Sequence, residues 1–239
     1  MPSFTDKIQE LESPIDVMYL MHKVFMAHSE KTEALARAAQ SGGDLKDLER
    51  HVHDWLKHLR YHVNTEDDYM TGPLIDTKLQ GDRYPLKDNE REHTDILDRG
   101  DAIIAFMEEG EIAGLVDDIR AIMLKIDEQD HADLDIKVSD VENALISALG
   151  EERVLARTRR HLYRSIMALK VAEFDHFENE EAFVLPMVKE QMTRTQELQC
   201  ARKLLLDDAS DNPRWVIDFM YAELQDDDKS LLSLLESEF

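Results

Sequence analysis

Two stretches of this chain share an order of residues suited to holding a cation. His62-Val-Asn-Thr-Glu66-Asp-Asp-Tyr runs on to Pro73, and His176-Phe-Glu-Asn-Glu180-Glu-Ala-Phe runs on to Pro186: histidine, three residues, glutamate, a further acid, an aromatic, then proline. On a helix, positions i and i+4 project from nearly the same side, so each pair presents one nitrogen and one oxygen to a single point. A metal ion is the simplest common target. His22 shares a stripe with Ile15, Met18 and Phe25, and His93 shares one with Leu86, Leu97 and Ile104, so each points toward a core. For one such histidine alone, a hydrogen-bonded core imidazole is the simpler account. Four histidines and two glutamates together would be very costly to bury bare. Coordination removes that cost, and neutral imidazole with ionised carboxylate is a donor set that divalent or trivalent iron accepts.

Long helices must carry these donors. Ser13-Pro14 reads as a cap and first-turn proline opening a helix over about 14–40, which Ser41-Gly42-Gly43 stops. Asp44 caps a second, whose inner face is Leu48, His51, Trp55, His58, His62, Glu66 and Tyr69, and which ends near Gly72-Pro73. "LIDTKLQGDRYP" reads as a loop, a third helix runs from Pro85 to Gly110, and a fourth covers about 152–189. The region of about 111–150 reads as a helical insertion, and three short amphipathic helices follow residue 190. The expected fold is all-α: an up-down-up-down four-helix bundle over 14–190 with that insertion, and a C-terminal helical extension over 191–239.

Composition narrows the partners. A formal charge of −24, from 28 basic and 52 acidic residues in 239, repels a phosphate backbone, so nucleic acid is not an expected partner. Cys200 is the sole cysteine, which excludes an intrachain disulfide and thiolate metal sites. The opening residues do not read as a signal peptide. No segment approaches the roughly twenty apolar residues of a membrane span. The expectation is a cytoplasmic protein with no membrane contact.

The order of donors resembles that of the hemerythrin-like, or HHE cation-binding, family: a lone histidine, HxxxE, a lone histidine, then HxxxE, here His22, His62 with Glu66, His93, and His176 with Glu180. The proline-ended segments "DDYMTGP" and "EEAFVLP" are similar to the family's too, and the likeness spans roughly 14–190. It implies two non-haem irons, joined by the carboxylates or by an Fe–O–Fe bridge, with the glutamates bridging and the histidines terminal; manganese is the alternative metal. Oxygen-carrying members have HxxxH on the third helix, whereas Leu97 stands four residues after His93. One iron is then expected to lack a histidine, and to be left open or completed by His58, Tyr69 or Glu90, with His58 the best placed.

The resemblance implies a protein that binds or reacts with a small diatomic or peroxide ligand (oxygen, nitric oxide or peroxide), in oxidative or nitrosative stress. Two alternatives are an iron- or oxygen-responsive sensor contacting a protein partner through its C-terminal helices, and an iron storage or delivery protein. No base, nucleophile or substrate pocket for organic catalysis is legible. A ferritin-like carboxylate bundle fits less well: Glu90 with His93 and Glu173 with His176 have its ExxH spacing, but the first helix offers histidine where that motif needs glutamate. His161 lies fifteen residues before His176, about 22 Å along a helix, too far for the same centre. The small residues Ser165, Ala168 and Ala172 read as close packing rather than a passage, and His28 as a rim residue.

Overall fold

The structure, a computed structural model, describes residues 10–42, 45–75, 83–108 and 151–239. The expected insertion at about 111–150, the Asp44 cap and most of the expected loop before Pro85 lie outside the described residues. A 3-10 turn, Pro14–Asp16, leads into α1 (Val17–Ala39). There follow α2 (Lys46–Glu66), α3 (Gly72–Ile75), α4 (Arg83–Glu108), α5 (Glu151–Asn179), α6 (Leu185–Gln191), α7 (Arg194–Leu205), α8 (Trp215–Glu223) and α9 (Asp226–Glu236). Among the described residues there is no strand, and the all-α helical bundle is the class expected. No described helix is long and apolar enough to cross a membrane.

Local chemistry sets the helix ends. The Asp16 carboxylate accepts the Ser13 N–H at 2.9 Å, satisfying a donor that the first turn leaves over. α1 stops at Gly42, whose φ of 101° is left-handed backbone that glycine adopts without a Cβ penalty. Thr193 and Gln196 cap α7 reciprocally, the Thr193 N–H donating to Gln196 Oε1 at 2.9 Å.

The second helix, expected to end near Gly72-Pro73, is described as far as Ile75, with one interruption. A π turn, Asp67–Thr71, joins α2 to α3, and a matching π turn, Glu180–Val184, joins α5 to α6. Proline explains both. Pro73 and Pro186 have no N–H to offer the carbonyl four residues back, and the ring crowds that carbonyl; a single π turn relieves this and lets the helix continue. At Gly72, a Cβ would stand 2.3 Å from the Asp67 carbonyl oxygen, so a side chain there would force this turn apart. Each turn begins at or just after the glutamate of an HxxxE pair.

Chain contacts divide the described residues into two compact units. One comprises 10–31, 53–75, 83–98 and 169–239; the other comprises 32–42, 45–52, 99–108 and 151–168. The first holds every histidine and glutamate singled out as a cation donor. Its core includes Ile15, Met18, Met21, Trp55, Leu59, Met70, Ile96, Leu169 and Phe177, all essentially without exposed surface. Burial of each such side chain contributes roughly 1.5–3 kcal/mol.

The C-terminal helices pack within this unit. Tyr61 donates to the Lys203 carbonyl at 2.7 Å, and Lys23 pairs with Asp228 at 3.2 Å. His28, expected at the rim, is buried at 4% exposure with its Nδ1 3.4 Å from Glu223 of α8. In the second unit, Ala36, Leu48, Val52, Ile103, Leu162 and Ile166 are buried, and Arg159 donates to the Ala39 carbonyl at 3.0 Å, satisfying the end of α1. Ser165 and Ala168 line a groove of about 380 Å³ there with His161, so this stretch is not wholly close-packed.

Candidate metal centre

The helical phases of α1, α2, α4 and α5 bring the six donors together as two groups of three. His22, His62 and Glu180 form one; Glu66, His93 and His176 form the other; within each, one donor atom per residue lies within 4.8 Å of the others. All six side chains are buried, at 0 or 1% exposure.

The glutamates lie between the groups. Glu66 Oε2 is 3.7 Å from His62 Nε2 in one group and 3.3 Å from His93 Nε2 in the other. Glu180 Oε2 is 3.3 Å from His22 Nε2 and 3.6 Å from His176 Nε2. The Nε2 atoms of His93 and His176 approach to 3.0 Å. Each carboxylate therefore faces an imidazole of both groups, the disposition a bridging ligand needs.

The inward atoms lack ordinary partners. His22 Nε2, both nitrogens of His62, Glu66 Oε2 and both oxygens of Glu180 are buried without a hydrogen bond. Leaving a buried polar atom unsatisfied costs about 1–3 kcal/mol, and more when it is charged. This concentration of unpaired donors fits a cation, which would accept those lone pairs together.

Outer carboxylates hold three of the four imidazoles from behind. His22 Nδ1 donates to Glu181 at 2.9 Å, His93 Nδ1 to Asp67 at 2.8 Å and His176 Nδ1 to Glu92 at 3.1 Å. Such contacts keep the proton on Nδ1, fix ring orientation and leave Nε2 as the inward lone pair. Asp67 and Glu181 are the acids that immediately follow Glu66 and Glu180. On an α-helix, adjacent side chains diverge by about 100°. The slower-winding π turns let each consecutive pair serve one centre, the first acid inward and the second across to a neighbouring helix. Phe177 closes the site on its apolar side, stacked on His22 with ring centroids 4.1 Å apart, and Phe25 lies 5.2 Å from His62.

Electrostatics in the metal-free protein follow from this crowding. Burial alone would depress His22, but the nearby Glu180 carboxylate and the hydrogen bond to Glu181 outweigh it and push its pKa up to about 9. Burial opposes charging of His93 as well, yet Glu66 and Asp67 hold its pKa well above the ordinary value. His62, buried with no outer carboxylate, is pushed down to about 3. Burial, joined by repulsion from Glu66, raises Glu180. Glu66 is drawn below the carboxylate range by His93 and His62 in spite of burial.

Two of the three candidates for completing the centre stand elsewhere. His58 belongs to neither group: its ring stacks on Phe219 of α8 at 3.6 Å and its Nδ1 meets the Asp54 carbonyl at 2.6 Å. One turn from His62 suffices to carry it into the C-terminal helices. Tyr69 is 46% exposed, with Lys203 5.8 Å from its ring. The side chain of Glu90 lies outside the described residues. Each group has two histidines.

Two further residues also face this region: Asn89, which the sequence reading did not name, and Glu173, which it named only for the ferritin-like alternative. Asn89, 2% exposed, donates from Nδ2 to Glu66 Oε1 at 2.6 Å. Its place one turn before His93 was the available signal. Glu173, fully buried, accepts from Trp55 Nε1 at 2.7 Å, and burial pushes its pKa up to about 8, so at neutral pH it is a carboxylic acid.

Residues 13–128 match the family model described as the hemerythrin HHE cation binding domain. That span contains His22, His62, Glu66 and His93 and ends before His176 and Glu180. A search of curated proteins and a search of solved structures each found no match.

Proposed function

We propose, for a chain that carries a hemerythrin HHE cation-binding domain over residues 13–128, a non-haem di-iron protein that binds or reacts with oxygen, nitric oxide or peroxide. The observation that carries this reading is the pair of three-donor groups, each with two imidazoles, facing one another across Glu66 and Glu180. His22 and His62 would hold one ion, His93 and His176 the other, and the glutamates would span both. Glu181, Asp67 and Glu92 keep Nε2 bare on three of the imidazoles. The nitrogen and oxygen set suits iron, with manganese the alternative metal.

When bound, the metals would supply Lewis acidity or a change of redox state at a small ligand. This chain's own residues contribute burial, which excludes water, and the aromatic wall of Phe177 and Phe25 beside His22 and His62. Protein purified after iron-replete expression should contain close to two irons per chain and show carboxylate- or oxo-bridged ferric absorption that changes under oxygen, peroxide or nitric oxide. Absence of iron, or absorption indifferent to all three, would remove the reading.

A sensor reading has one observation in its favour. Phe25 lies 5.2 Å from the candidate ligand His62 and 6.3 Å from Phe219 of α8, so a chain of ring contacts links the centre to the C-terminal helices. Under this reading, hydrogen exchange in residues 215–236 slows when iron is added; unchanged protection argues against it.

A further inference from the structure

The nitrogen donors are shared evenly, but the two glutamates are not held alike. Both oxygens of Glu180 are buried without a hydrogen bond. Glu66 has one oxygen in that condition, Oε2, while Oε1 receives the Asn89 amide at 2.6 Å. The same Asn89 nitrogen lies 3.4 Å from His93 Nε2. An amide oxygen so close to a carboxylate oxygen would repel it, so the NH2 group must face Glu66. Asn89 Oδ1 is left buried with no partner, a cost in free energy that a leucine of similar volume would not incur. A position that tolerates that cost beside two candidate ligands has a use for the amide.

We infer that Asn89 is a positioning residue of the metal centre: it occupies Oε1 of Glu66, leaving that glutamate Oε2 alone for a cation, whereas both oxygens of Glu180 stay free. Both imidazoles facing Glu66 and Glu180 across the His93 group also have outer carboxylates, Asp67 and Glu92, whereas in the His22 group His62 has none. The surroundings of the two groups are thereby unequal, even though each has two histidines. This rests on the two-ion reading above, and deepens it.

The test is a zinc titration of the metal-free protein against a chromophoric chelator, with infrared difference spectra of the carboxylate stretches. Wild-type protein should take up two ions and show one carboxylate bound through a single oxygen beside one bridging through two. In Asn89→Leu, one of the two affinities should weaken about 10- to 100-fold, the range for losing an outer partner of a ligand, and the two carboxylates should become alike. Asn89→Asp cannot donate to Glu66 and should weaken binding too. Tighter binding in Asn89→Asp would mean that residue 89 acts as a ligand through oxygen and would overturn the positioning role, as would unchanged affinities and spectra in Asn89→Leu. Should the leucine variant not fold, Asn89→Ala and Asn89→Asp carry the same comparison. Wild-type protein that takes up no zinc contradicts the two-ion reading itself, a different result from two ions bound indifferently to residue 89.

Discussion

The His22 group and the Glu66 group use the same residues, two histidines and a glutamate, yet their surroundings differ in kind. In the Glu66 group both imidazoles, His93 and His176, have an outer carboxylate, and Asn89 holds the glutamate. In the other, His22 has Glu181, His62 has nothing behind it, and Glu180 is unheld. Donor identity alone would make the halves equal. Their second ring of contacts leaves one half more fully held than the other, which teaches that the differences between similar metal sites lie one layer out from the ligands.

The largest effect on that comparison should come from removing a shared residue. Glu66→Ala or Glu180→Ala takes an oxygen from both groups at once, so each should lose measurable uptake of both ions by metal analysis. His62→Ala or His176→Ala should cost chiefly one. If a glutamate variant loses one ion and keeps the other at wild-type affinity, the carboxylates do not bridge.

Next come the outer carboxylates. Asp67→Asn and Glu92→Gln should each weaken binding in the Glu66 group, and Glu181→Gln in the His22 group, by about 10- to 100-fold in a competition titration. Equal effects of all three on a single ion would contradict the assignment of two groups.

Acidity should act through His22. Its pKa in the metal-free protein is about 9, so below that pH a proton must leave before Nε2 can hold a cation. Apparent affinity should therefore rise with pH up to about 9, by about tenfold per pH unit for each proton displaced. For metal-free stability the sign is opposite: the raised pKa stabilises the fold fully below the unfolded value near 6.5, and that contribution is lost as pH rises through about 9. A flat titration of affinity between pH 6 and 9 would show that His22 is already neutral.

The smallest expected effect concerns Glu173, which serves neither group. Its folded pKa of about 8 exceeds the ordinary 4.5, so the folded state binds the proton more tightly than the unfolded state, and stability falls as pH rises from 4.5 through 8. Glu173→Gln keeps an acceptor for Trp55 and removes the ionisation. Its melting temperature should match wild type near pH 5 and exceed it near pH 9; the reverse order would mean that Glu173 is charged in the fold.

Much of this was legible in the sequence because helical periodicity and the HxxxE spacing are both local. Positions four apart share a face whatever the tertiary structure does, so His62 with Glu66 and His176 with Glu180 could be paired from the chain alone, and the apolar stripes aimed His22 and His93 inward. Relations across helices were not legible. His58 has the same phase as His62, and only the packing of α8 shows its ring against Phe219. Asn89 stands one turn before His93, but only the structure shows its amide reaching Glu66. The π turns were hidden because proline reads as a helix end, while here the helix absorbs it by widening one turn; the acids after each glutamate were visible, but their reach to His93 and His22 depends on that widening.

The most direct measurement is the metal content of the wild-type chain after iron-replete purification, set beside that of a His22→Ala, His93→Ala double variant whose helical circular dichroism matches wild type. Close to two irons per chain in the first and loss of both sites in the second is the result expected. A single ion, no ion, or two ions retained in the double variant would contradict a centre shared by these helices.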